Sequence, residues 1–222
     1  MYILDLQCFD GGVKVPSKLT PRAIKVKLLK VKIKGKAPLL MHSDLYSNPL
    51  HPLTKRHKEL TAKRKKTDSD HEAIALSEWR GGLYWDDSIG LHIPGENIDA
   101  CILAAAKLQR LGSHYKRAAF VMDDNCPLKI DDKIGGDIDK LVSLYDKYSF
   151  AKSVVVSRAR IMRVRPMFKN WETDFQLAFN PEMIDSGELI KAVNDAGNFI
   201  GLCDWRPRFG RFSADIDVMD MK

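Results

Sequence analysis

No apolar run in the 222-residue chain approaches the roughly 18 residues that a membrane-crossing helix needs. Residues 1–10 carry no basic cluster and place Asp5 early, so no secretory signal peptide is expected there. The four cysteines (Cys8, Cys101, Cys126 and Cys203) lie far apart, with no CxxC pair and no Cys–His spacing of a zinc site. Reduced, buried thiols and a cytoplasmic location are the expectation. HExxH, GxSxG, Walker and GxGxxG patterns are all missing, so metalloprotease, serine hydrolase and nucleotide-binding chemistries have no anchor. No cofactor and no metal is expected. The paired acids Asp86-Asp87, Asp123-Asp124 and Asp131-Asp132 read as solvated turns. Of the six histidines, only His42, just after the first strand, is placed where a general base could act.

What is present is a core-forming composition with an excess of positive charge. The chain is 45% hydrophobic and 29% charged, so wholesale disorder is ruled out, and its length suits one domain over residues 1–222. Lys and Arg number 36 against 29 Asp and Glu, a net +7 that favours a polyanionic partner.

Gly11-Gly12, Pro16 and Pro21 mark an opening loop or edge hairpin. A strand is predicted over 24–34. Its apolar phase flips between Leu28 and Leu29, which predicts a β-bulge or a sharp twist near there. Pro49 and Pro52 precede an almost wholly polar helix over Leu53–Lys66, and a short aromatic strand follows at Leu83–Trp85. Pro94-Gly95-Glu96 opens a second helix, in which Ile98, Cys101, Ile102, Ala105 and Leu108 recur at helical spacing. Short strands are predicted at Ala118–Met122 and Leu128–Ile130, then a long one at Val154–Arg165 whose phase also flips, and a turn at Pro166–Asn170. Trp171–Phe179 alternates cleanly, a helix starts near Gly187, and Phe212–Val218 closes the chain as a strand. With 39–92 and 113–150 set aside as insertions, the order β (24–34), α (95–110), β (154–165), β (171–179), α (187–200), β (211–219) is that of the split βαβ. The predicted fold is therefore α+β: a ferredoxin-like, RRM-like, four-stranded antiparallel sheet with large insertions.

Three basic clusters stand out. In Leu53–Lys66, Lys55, Arg56, Lys58, Lys63, Arg64, Lys65 and Lys66 face one anion, Glu59. Like charges at i, i+3 and i+4 cost about 0.2–0.5 kcal/mol per pair, a penalty that bound phosphates would offset. The plainer reading is a solvated basic face. Arg158, Arg160, Arg163 and Arg165 fall within eight residues of the predicted 154–165 strand. Arginine forks suit phosphate oxygens, although the phase flip sends the two pairs to different faces. The segment Gly201–Phe212 combines glycines with Trp205, Arg206, Arg208 and Arg211. Its backbone could cradle phosphates and its indole could stack on a base. Alternatively, Trp205 and Phe209 plug the core while the arginines pair with acids such as Asp204.

A first strand ending in Gly35-Lys36-Ala37-Pro38-Leu39-Leu40, long insertions, and a glycine- and arginine-bearing loop before the last strand together resemble the RAMP superfamily, the ferredoxin-like RNA-binding proteins of CRISPR systems. The likeness is to the backbone subunits that polymerise along guide RNA. It implies a non-catalytic subunit of an antiviral ribonucleoprotein. The insertions would form a palm and thumb, Lys55–Lys66 would lie near nucleic acid, and the partners would be further copies or other subunits. Single-stranded RNA is the expected ligand, with DNA left open, and no membrane partner is expected. Two other readings stand beside it. One is a ferredoxin-like, metal-independent endoribonuclease using His42 with a lysine. The other is an interaction protein, such as a phage-encoded relative or mimic, whose basic helix docks on an acidic protein surface.

Overall fold

Lysine alternates with aliphatic residues through Lys27–Gly35, and in the computed structural model, which describes residues 26–220, this stretch is strand β1. The opening 1–22 segment and Cys8 lie outside the described residues. After β1 come β2 (Leu39–Leu40), a 3-10 turn at Leu45–Ser47, helices α1 (Pro52–Ala62) and α2 (Asp68–Gly81), and strands β3 (Trp85–Asp86) and β4 (Gly90–Pro94). Next are α3 (Gly95–Leu108), α4 (Gly112–Ala118), β5 (Ala119–Val121), β6 (Asn125–Pro127), β7 (Lys129–Ile130), α5 (Ile138–Ser143) and α6 (Tyr145–Tyr148). The chain then forms β8 (Ser149–Val156), β9 (Ala159–Phe168), β10 (Trp171–Phe179), α7 (Ser186–Asp195) with a π turn over Ala196–Ile200, and β11 (Phe212–Asp220). The architecture is α+β with antiparallel sheets.

The main sheet has the order β11-β1-β10-β5, with β7 also pairing β10, and every pairing is antiparallel. Leu29, Val31 and Ile33 of β1 and Phe175, Leu177 and Phe179 of β10 are buried in one core with Ile98, Cys101 and Ile102 of α3 and Leu189 and Val193 of α7. Each such side chain contributes about 1.5–3 kcal/mol of transfer free energy. The opposite face is solvated, as one face of an antiparallel sheet can be. Lys30, Lys32 and Lys34 sit there in register with Asp174, Glu172, Asp215 and Asp217 of the flanking strands. Glu172 takes Lys34 at 3.0 Å and Lys32 at 3.6 Å.

Several expectations are corrected. β1 pairs without interruption from Lys27↔Phe179 to Lys34↔Glu172, so there is no bulge at Leu28–Leu29; Leu28 is an apolar residue on the outer face. Val154–Arg165 is not one strand and is not in the main sheet. It spans a hairpin: β8 and β9 pair from Ser149↔Pro166 to Val156↔Ala159, joined by Ser157 and Arg158 at φ 49° and 69°. Two left-handed residues make the tight turn whose twist matches a hairpin, and the reversal accounts for the phase flip. The hairpin belongs to a second sheet, β2-β9-β8. The strand beside β10 in the main sheet is β5, inside the segment set aside as an insertion. β9 also runs through the predicted 166–170 turn as far as Phe168.

The predicted 53–66 helix stops at Ala62, and Lys63–Lys66 connect α1 to an unpredicted helix, α2. Thr67 starts α2 with a reciprocal cap: its side chain accepts from Asp70 N while Asp70 accepts from Thr67 N. Cys101, Cys126 and Cys203 are free, and burial pushes each thiol up to about 12.

Candidate nucleic-acid interface

The side chains of the β2-β9-β8 sheet set up the site. Cross-strand register places Lys152 opposite Arg163 and Phe150 opposite Arg165, so two cationic side chains face each other directly. Like charges in that position are destabilising unless compensated. Glu78 of α2, only 11% exposed, accepts from Arg163 and also from Val164 N at 3.1 Å. Asp204, from the loop between α7 and β11, pairs with Arg165. Each guanidinium has five N–H donors, so one carboxylate contact leaves others to spend on a ligand. Lys152 is exposed and completes a cationic strip along this face.

On one side of the strip, α1 and α2 build the wall of a cleft of about 660 Å3 that also takes in His42 and the 3-10 turn. His57, on α1, stacks on Tyr46 at 4.6 Å between centroids, and its Nδ1 lies 3.0 Å from Ser77 Oγ. Tyr46 donates to Ser77 O at 2.5 Å. A Cβ on Gly81 would overlap that tyrosine ring at 2.2 Å, so the close approach needs glycine there. Burial, with Arg165 and Arg163 adding to it, lowers the His42 pKa below 6.5. Burial also lowers His57, Glu78 opposing and Arg163 assisting. Both shifts favour the neutral imidazole, the form that can accept a proton or a hydrogen bond.

On the other side, the loop 201–211 closes a smaller pocket of about 270 Å3; Val154, Arg163 and Arg165 line both cavities. The loop is tied to β2 and the residue before it: Gly210 N donates to Pro38 O at 2.8 Å and Asp204 N to Leu40 O at 2.9 Å. Within it, Leu202 N donates to Gly210 O at 2.9 Å. Phe209 is buried, but Trp205 is 44% exposed and stands edge-on to Phe150 with ring centroids 6.2 Å apart. The core-plug alternative therefore holds for Phe209 and fails for Trp205.

Of the residues singled out in the sequence, the structure gathers Arg163, Arg165 and Trp205 around one depression. Lys55, Arg56 and Lys58 are exposed on α1, the helix that reaches the cleft through His57. Lys63 pairs with Asp70 at 2.5 Å; that bond and the Thr67 cap hold the Asp70 carboxyl at about 2. Lys66 donates to Lys63 O at 2.7 Å, and Arg64 and Lys65 are exposed beside it. Arg158 and Arg160 lie exposed at the far end of the hairpin, away from the strip's paired arginines in sequence register. Arg206, Arg208 and Arg211 are exposed on the Trp205 loop. Sequence reasoning missed Lys152, Phe150, His57 and Glu78. The signal for the first two was their alternation ahead of Val154, legible only once the hairpin is known.

The remaining histidines are structural or peripheral: His51 caps α1 by accepting from Leu53 N at 3.2 Å, and His92 is buried. Among the described residues, no group of three or more His, Cys, Asp or Glu side chains is placed to hold a metal, and no helix is long and apolar enough to cross a membrane. No protein-family model and no curated protein matches the chain.

Proposed function

We propose that the chain holds single-stranded RNA, laying its phosphates along Lys152, Arg163 and Arg165 without cleaving it. The observation that carries this is the cationic strip itself: three cations on one sheet face, with a cleft on one side and a pocket bearing an exposed indole on the other. The outer face of the main sheet suits nucleic acid poorly. Its two central strands present no aromatic for a base to stack on. Phosphate contacts position a strand and do not read it, so sequence preference is weak.

The wider reading is a RAMP-like, ferredoxin-like subunit of a cytoplasmic CRISPR-type ribonucleoprotein, associating with further copies or other subunits. The strand order β11-β1-β10-β5 supports the fold part of it: strands taken first, second, third and fourth from β1, β5, β10 and β11 lie in the order 4-1-3-2 beneath α3 and α7. The test is binding of labelled single-stranded RNA by the Arg163→Ala and Arg165→Ala variants, with Lys32→Ala on the main-sheet face as comparison. Weakened binding in the first two, with Lys32→Ala unchanged, is expected; the reverse pattern moves the strand to the other sheet and defeats the proposal.

One observation favours a second reading, the endoribonuclease. His42 shares its cleft with a second imidazole shifted towards its neutral form, His57, beside the two arginines. Incubating labelled RNA with the protein and with His42→Ala and His57→Ala variants decides it. Cleavage lost in either variant establishes the enzyme over the binding subunit.

A further inference from the structure

We infer that the smaller pocket is a nucleobase site, which takes one base turned out of a bound strand and stacks it on Trp205 while the adjoining phosphate rests on Arg163 and Arg165. This rests on the RNA-binding reading and adds to it a base-dependent contact that a phosphate track alone would lack. The size fits: at about 270 Å3 the pocket lies just below the about 300–1,000 Å3 of sites that enclose drug-sized ligands, which leaves room for one heterocycle. Its lining is amphipathic in the way a base requires. Leu40, Val154 and Phe150 supply apolar surface, while Lys152, Arg163 and Arg165, with the Asp204 carboxylate among them, bring a net positive charge to the same cavity. Because the two arginines line both this pocket and the larger cleft, a strand running through the cleft passes the pocket mouth with its phosphates already held.

The backbone of the loop points the same way. Cys203 and Trp205 both adopt left-handed conformations, φ 61° and 53°, although neither is glycine. Such residues are strained and persist where the surroundings hold them. Here the hydrogen bonds to Pro38 and Leu40 hold the loop. The two strained residues flank Asp204, whose carboxylate they turn to Arg165, and they leave the indole edge-on to Phe150 and nearly half in solvent. The indole also packs on Phe209 at 5.7 Å between centroids, which fixes its position while leaving nearly half of it exposed.

The test compares two oligonucleotides of equal length, a single-stranded RNA and the same backbone made abasic, binding to the full chain and to Trp205→Ala and Trp205→Phe. A base–aromatic stack contributes about 1–3 kcal/mol, so Trp205→Ala should weaken the RNA by about 5- to 150-fold. It should leave the abasic strand unchanged, and Trp205→Phe should recover most of the loss. If Trp205→Ala weakens both strands equally, the loop acts on phosphate alone and the pocket proposal is wrong. If Trp205→Ala affects neither strand while Arg163→Ala weakens both, the pocket is refuted and the phosphate track survives. If the unaltered protein binds neither strand, the RNA reading falls and the pocket falls with it.

Discussion

Gly210→Ala tests how the loop holds Trp205 in place. Gly210 sits at φ +74°, and a Cβ built on it would lie 2.0 Å from Leu202 O and 2.6 Å from Leu202 N. An L-residue in the left-handed region costs about 1–2 kcal/mol. The overlap adds to this, because backbone atoms cannot swing aside as a side-chain tip can. Moving them breaks the Leu202 N to Gly210 O bond, which contributes about 0.5–1.5 kcal/mol. The sum is about 1.5–3.5 kcal/mol. Gly135→Ala separates the two parts, since Gly135 has φ +65° but nothing within 4 Å of its added Cβ. That variant should lose only the conformational part, about 1–2 kcal/mol. Thermal unfolding of both variants reads the difference, each kcal/mol moving the midpoint by about 2–4 °C in a chain of this size. Gly210→Ala should melt lower than Gly135→Ala. Equal midpoints would show that the loop yields without cost, and the claim that it is rigid enough to hold the indole would be lost.

Glu78→Gln removes the charge that anchors Arg163. A charge-assisted bond contributes about 1.5–3 kcal/mol, and because Arg163 is 41% exposed, screening brings the expected loss to about 1–2 kcal/mol in urea unfolding. Glu78 raises the pKa of both His42 and His57, so the same variant should lower both in an NMR titration; an upward shift would place the carboxylate elsewhere. The histidines also set a pH dependence. Their folded pKa values lie below 6.5, so near that pH the unfolded chain binds more protons than the folded one, and stability falls as pH drops through 6.5 towards the folded values. A His42→Gln, His57→Gln double variant should flatten that part of the stability–pH curve; an unchanged slope assigns it to other groups.

Where side-chain period alone decides, the sequence was legible. β1, β10 and α3 show it: Val31 and Phe175 alternate with polar neighbours, and Ile98, Cys101 and Ile102 keep helical spacing. Local chemistry without a strong signature hid the rest. Ser157 and Arg158 make a turn that usually calls for Asn-Gly, so a hairpin passed for one strand. β5 is three residues long, too short to show a period. α2 carries little apolar periodicity, and its one local mark, the Thr67–Asp70 cap at its start, passed unread. In the site, Arg163, Arg165 and Trp205 were recognisable by residue type. Glu78 and Lys152 were not, because their roles come from tertiary contact and cross-strand register.

The most direct measurement is the salt dependence of single-stranded RNA affinity, for the unaltered chain and for a Lys152→Ala, Arg163→Ala, Arg165→Ala variant. Each phosphate neutralised on a single strand adds about 0.7 to the slope of log affinity against log salt. The account predicts a steep fall in affinity between about 50 and 200 mM salt for the unaltered protein, and a slope shallower by about 2 in the variant. An identical slope in both proteins, or an affinity indifferent to salt, would contradict it.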